Sequence, residues 1–192
     1  MQTKRVLVGF ALTIFVSFVF SLLALATGGQ NGDNVNAKAQ VQRGEYLVIA
    51  GGCHDCHSPK VFTSKVPEPD PARLLSGFPA DAKLPVIPDD IVGLDKWGGL
   101  FSNDLTAWVG PWGVTFGANI TPDEQTGIGL WTEDLFIKTM RTGKHLGTGR
   151  DILPPMPWFN YARLSDDDLK AVFAYLKTLK PVKNAVPAPI PH

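Results

Sequence analysis

The chain is short of cysteine and has no surplus of charge, and each shortage excludes a class of function. Only two cysteines occur in 192 residues, Cys53 and Cys56. A closed zinc site normally takes four ligands, and no second cysteine pair exists to complete one. A redox dithiol expects alternating strands and helices around it, and that pattern is also missing. The 18 Lys and Arg balance 18 Asp and Glu, so the formal net charge is zero and argues neither for nucleic acid nor for a strongly charged partner. No internal repeat appears. The length suits one domain with a core large enough to fold without staples.

What is present is concentrated in five residues, Cys53-His54-Asp55-Cys56-His57. They read as C-x-x-C-H, the attachment signature of a c-type haem. Two thiols three positions apart can each form a thioether to one edge of the haem, and His57 is then placed to ligate iron. Once the group is attached, no cysteine remains for a structural disulfide.

The N-terminus points out of the cytoplasm. Lys4 and Arg5 precede Val6 to Ala26, a stretch with no charged residue, which ends in Ala24-Leu25-Ala26. This is the pattern of a secretory signal. The run is also long enough to span a bilayer as an uncleaved anchor with Lys4 and Arg5 on the cytoplasmic side. Residues 1–26 are therefore expected to be a signal or membrane anchor. No cysteine lies near the segment, which excludes a lipoprotein anchor. Either reading places the remainder in the periplasm, soluble or anchored to the inner membrane, in keeping with covalent haem.

Residues 27–39 are rich in Gly and Asn and read as a flexible linker. Val41 to Ala50 are mostly helix formers, ended by Gly51-Gly52, with the attachment motif immediately after. Residues 59–88 hold seven prolines, and Trp97, Trp108 and Trp112 follow among glycines. No sustained helical or alternating pattern runs through them. Disordered chain is poor in Trp, so an ordered, wrapping insertion over residues 58–116 is expected. Thr132 is a plausible N-cap for a helix carrying Leu135, Phe136, Ile137 and Met140 and closed by Gly143. Ser165 and Asp168 form a capping box, Leu164 and Leu169 a hydrophobic staple. Leu169, Val172, Phe173, Leu176 and Leu179 then line one helical face until Pro181. Residues 184–192 are a Pro-rich, extended tail. The fold class expected is all-α.

With these elements in place, residues 40–183 resemble class I monohaem cytochrome c. More narrowly they resemble the cytochrome c subunits of membrane-bound bacterial alcohol, aldehyde and gluconate dehydrogenases. The resemblance is carried, after the attachment motif, by Asn119-Ile120-Thr121-Pro122-Asp123, Gly127-Ile128-Gly129 with Trp131, and Arg141-Thr142-Gly143. Met156-Pro157, Tyr161, Leu164-Ser165-Asp166-Asp167 and Ala174-Tyr175-Leu176 follow in order. Those subunits commonly carry three haems, where this chain has one motif. The resemblance implies an all-α fold whose first and last helices cross, pairing residues 41–50 with 166–179 near Phe173 and Tyr175. It also implies one covalently bound haem c, a dehydrogenase as electron donor and an oxidase or other respiratory acceptor.

The second axial ligand decides between carriage and chemistry. Excluding Met1, the candidates are Met156, Met140, His54, His145 and His192. Met156 stands in Leu153-Pro154-Pro155-Met156-Pro157, where prolines on both sides lower the entropy cost of fixing a ligand. The resemblance also places the axial methionine in a Met-Pro loop here. Met140 falls on the apolar side of a helix, the place of a core methionine, and His145 is the second choice. A His57/Met156 pair fills both axial sites and raises the potential. That describes a one-electron carrier and not an enzyme. The rival is a catalytic or ligand-sensing haem protein with an open sixth site. Trp131, Trp158, Tyr161 and Arg141 could face haem propionates, with core packing or solvation equally open to them. Asn119 and Thr121 have local backbone bonding as their simpler role.

Overall fold

In the computed structural model, residues 34–63, 66–88, 90, 92–93 and 95–191 are described. The chain divides into residues 1–39 and a compact unit, residues 40–192. The expected signal or anchor over residues 1–26 lies outside the described residues. Of the expected linker, residues 34–39 are helical and lead into helix α1, helical over 34–50. Ala37, Lys38 and Ala39 are good helix formers, in keeping with that local helix. Among the described residues no helix is long and apolar enough to cross a membrane.

Helix α1 ends where Gly51 and Gly52 donate to the carbonyls of Leu47 and Ile49, with Gly52 left-handed at φ 67°. Helix α2 (Cys53–His57) starts at once. Helix α3 (Glu133–Thr142) is capped by the Thr132 side chain, which accepts from Leu135 N, and is closed by left-handed Gly143. The short helix α4 (Trp158–Tyr161) precedes α5 (Asp166–Thr178), capped by Ser165 accepting from Asp168 N. Glu133 and Asp134, and Asp166 to Asp168, occupy the first turns where the helix dipole favours negative charge.

These helices share one core of Val48, Leu75, Ile128, Phe136, Leu169, Phe173 and Leu176. The rings of Phe136 and Phe173 pack with centroids 5.4 Å apart. Helices α1 and α5 meet at Gly44, where a Cβ would stand 1.9 Å from the Ala171 carbonyl oxygen and 2.8 Å from Tyr175 Cβ. Arg43 and Asp168 flank this contact as an ion pair at 2.9 Å. Arg43 holds the Asp168 carboxyl below its ordinary value, chiefly by their hydrogen bond.

The architecture is not all-α. Among the described residues, five short strands lie between residues 60 and 116: β1 (Lys60–Val61), β2 (Glu68–Pro69), β3 (Leu100–Phe101), β4 (Ala107–Gly110) and β5 (Gly113–Phe116). The antiparallel pair β1–β2 sets Lys60 opposite Pro69, and β3–β4–β5 form an antiparallel sheet with Ala107 opposite Phe116. The hairpin escapes a search for alternation because Ala107, Gly110, Gly113, Val114 and Thr115 are all buried, on both faces. The tail adds a further contact to this sheet. Val114 and Ile190 exchange both backbone hydrogen bonds, at 2.8 and 2.9 Å.

The insertion is rooted in the helical core through Leu75, whose side chain is fully buried although its backbone is left-handed at φ 58°. The stretch just after Leu75 is tied by Asn184 of the tail. The Asn184 amide donates to the carbonyls of Ser76 and Phe78, both at 2.8 Å, and its oxygen accepts from Ala80 N. Asn119 Oδ1 accepts locally from Thr121, as a turn would require, while its Nδ2 donates to Val182 O, just ahead of the tail, at 2.8 Å.

Candidate functional site

Helix α2 sets Cys53 and Cys56 three residues apart, hence on one face of a single turn, and both are free thiols. Burial pushes the Cys53 thiol up to about 11 and also raises that of Cys56. Such surroundings favour sulfur without charge, and a thioether is uncharged.

His57, the last residue of α2, hydrogen-bonds through Nδ1 to Ala118 O at 2.8 Å. A carbonyl can only accept, so Nδ1 carries the proton and Nε2 holds the lone pair. Burial keeps the imidazole neutral, below its ordinary value, with the Ala118 carbonyl opposing. A neutral ring oriented by Nδ1–H to a backbone carbonyl is the usual state of a metal-ligating histidine. The backbone around it is tied down as well. His57 O accepts from Gly77 N at 2.7 Å, and buried Ser58 accepts through Oγ from Leu75 N at 2.8 Å.

The far end of α2 has a partner that sequence reasoning missed. Lys60 Nζ donates to the carbonyls of His54, Asp55 and Ser58 at 2.8, 3.0 and 2.5 Å. A cation at the C-terminus of a helix meets its negative dipole end. Burial lowers the Lys60 pKa, against the pull of Asp104 and Asp55. A lysine three residues past the motif was a legible signal. Ala118 was not, because every residue carries a carbonyl.

Met156 lies half-buried between Pro155 and Pro157. Its carbonyl accepts from Trp158 N at 2.9 Å, and Pro154 O accepts from Thr115 Oγ1 of β5 at 2.8 Å. Met140 packs against the helical core, as a core methionine does. His145 stacks edge-on to Trp131 at 5.7 Å, and His54 Nδ1 is 2.9 Å from Ser58 Oγ. His192 lies outside the described residues. Tyr161 donates to Gly51 O at 2.5 Å, beside the attachment motif, and Trp158 packs over Gly143. Arg141 is engaged within the protein, by Asp166 at 2.5 Å and by the Ala162 carbonyl.

The residues fit a c-type haem on this geometry. Cys53 and Cys56 would form the thioethers, and His57 Nε2 would supply one axial bond.

No protein-family model matches the chain. It is 33% identical over 170 residues to the gluconate 2-dehydrogenase cytochrome c subunit of Pantoea cypripedii, covering 86% of this chain and 30% of that protein. It is 28% identical over 169 residues to the cytochrome c subunit of the quinone alcohol dehydrogenase of Gluconobacter oxydans, covering 88% and 27% respectively. It is 30% identical over 151 residues to the fructose dehydrogenase cytochrome subunit of Gluconobacter japonicus, covering 78% of this chain and 24% of the relative. The chain thus spans less than a third of the length of each of these relatives.

Proposed function

We propose that this chain, a relative of the cytochrome c subunits of gluconate and alcohol dehydrogenases, carries one electron at a time on a single covalently attached haem c. The observation that carries the reading is the juxtaposition in α2. Two thiols share one helical turn, and the next residue is a neutral imidazole whose Nδ1 proton is held by Ala118 O. Cys53 and Cys56 would form the thioethers, and His57 and Met156 would ligate the iron.

When bound, the haem supplies an iron centre that alternates between ferric and ferrous states. The chain contributes fixed ligands around that change. His57 keeps its proton on Nδ1 and cannot rotate without losing Ala118. The proline-flanked Met156 loses little entropy on being fixed. With His57 and Met156 both committed to the iron, the protein would leave no coordination site for a substrate, which makes the chain a carrier and not itself an enzyme. A thioether ligand favours ferrous iron and a raised potential.

The names of the relatives support a dehydrogenase as electron donor. A respiratory acceptor and a periplasmic location, with residues 6–26 as cleaved signal or inner-membrane anchor, complete the proposal. It is tested on the oxidised holoprotein in the near-infrared. The weak iron-to-thioether charge-transfer band should be present in the parent and absent in Met156→Ala. A parent without the band would move His145 or an open sixth site forward, and persistence in the variant would point to Met140.

A further inference from the structure

Three nearly consecutive residues, at and just past the end of the insertion, touch the Met156 loop, Cys56 and His57 in turn. Thr115 donates to Pro154 O of the Met156 loop at 2.8 Å. Gly117 lies so close to the attachment helix that a Cβ there would stand 2.0 Å from Cys56 O. Ala118 accepts from His57 Nδ1. The strand that carries Thr115 is held on both edges, by β4 on one side and by Ile190 of the tail on the other. Gly117 N is further fixed by Thr106 O at 2.7 Å.

The Met156 loop needs such a hold. Pro154, Pro155 and Pro157 have no N–H, so the segment offers few donors with which to bond itself in place. Its carbonyls therefore find few donors within the segment. Trp158 N serves Met156 O on the C-terminal side. On the N-terminal side the partner is Thr115 Oγ1, from a residue only 6% exposed.

We propose that Thr115 is a positioning residue for the axial methionine, and that seating the Met156 loop is a function of the insertion. The inference rests on the Met156 reading above. The Thr115 hydroxyl stabilises the loop in its ligated position against the displaced one, in which the sixth site opens to an outside ligand. Removing the hydroxyl shifts that balance, and the apparent affinity for a competing ligand rises by the same factor.

The test uses oxidised holoprotein and imidazole as the competitor, with the near-infrared thioether band as readout. Loss of one ordinary hydrogen bond corresponds to about five- to tenfold tighter apparent imidazole binding in Thr115→Val. Thr115→Ser, which keeps the hydroxyl, should behave as the parent. Thr115→Ala is a second hydroxyl-free variant should valine crowd the buried position. Hydroxyl-free variants that titrate like the parent overturn the inference while leaving Met156 as ligand. A serine variant that behaves like valine also overturns it, since packing of the methyl group would then be responsible. A parent lacking the band removes the Met156 reading itself, and the inference with it.

Discussion

Leu75 carries two opposed costs on one residue. Its left-handed backbone, φ 58°, is disfavoured for a side chain with a Cβ by roughly 1–2 kcal/mol. Its side chain is fully buried in the helical core, and its backbone is fixed by Ser58 Oγ and by Ile120 N, at 2.8 and 3.0 Å. Burial wins, since emptying such a position costs about 2–5 kcal/mol. This predicts an order of stability that reverses the ordinary one. Leu75→Ala keeps the strained backbone and loses the packing, whereas Leu75→Gly loses the packing but releases the strain. Urea unfolding should therefore rank the parent first, glycine second and alanine last, with glycine about 1 kcal/mol above alanine. Alanine above glycine would mean that the left-handed backbone at 75 is not what the leucine is held against. Nothing in Leu74-Leu75-Ser76-Gly77 announces this residue, because its conformation is imposed by distant partners. Cys53, Cys56 and His57 were legible for the opposite reason, since their chemistry depends on spacing along five residues.

Helices α3 and α5 could be read from the sequence because their caps and apolar faces are local. Thr132 and Ser165 do cap them, and Phe136, Leu169, Phe173 and Leu176 are buried. The hairpin β4–β5 could not, because burial of both faces erased its alternation and Gly110-Pro111-Trp112-Gly113 reads only as a turn. The crossing of α1 and α5 was expected from resemblance alone, and it turns on a residue that propensity would reject. A glycine inside a helix costs about 1 kcal/mol relative to alanine. Gly44 is kept because a methyl group there would stand 1.9 Å from Ala171 O, a backbone atom that cannot turn aside. Gly44→Ala should therefore be destabilising, by about 1–3 kcal/mol, despite its gain in helix propensity. Thermal unfolding of the holoprotein measures this directly. A melting temperature at or above that of the parent would show that the helices can separate without loss, and that close approach at Gly44 is not required.

Across the compact unit, the contacts that join insertion to body come from opposite ends of the sequence, and this is why their arrangement could not be read. The extended tail was foreseen as extended. Its partners, Ser76, Phe78, Ala80, Val114 and Asn119, lie more than sixty residues away. The segment after Pro181 thus holds three parts of the chain together: the start of the insertion through Asn184, its hairpin through Ile190, and the turn before α3 through Val182. Helices α1, α3 and α5 pack with one another through a core to which, among the described residues, the tail contributes no buried residue. Ending the chain after Pro181 should accordingly loosen the insertion far more than it melts the helices. Each lost hydrogen bond contributes about 1 kcal/mol, so several together raise the population of an opened insertion by tenfold or more. When opening is fast relative to cleavage, proteolysis follows that population. Limited proteolysis within residues 79–105 should thus accelerate at least about tenfold in the truncated holoprotein, while its far-ultraviolet helical signal stays near that of the parent. Equal cleavage rates would mean that Leu75 and the run from Thr115 to Ala118 hold the insertion without the tail. A collapse of the helical signal would mean instead that the tail belongs to the folding core, and the division between helical body and strapped insertion would have to be abandoned.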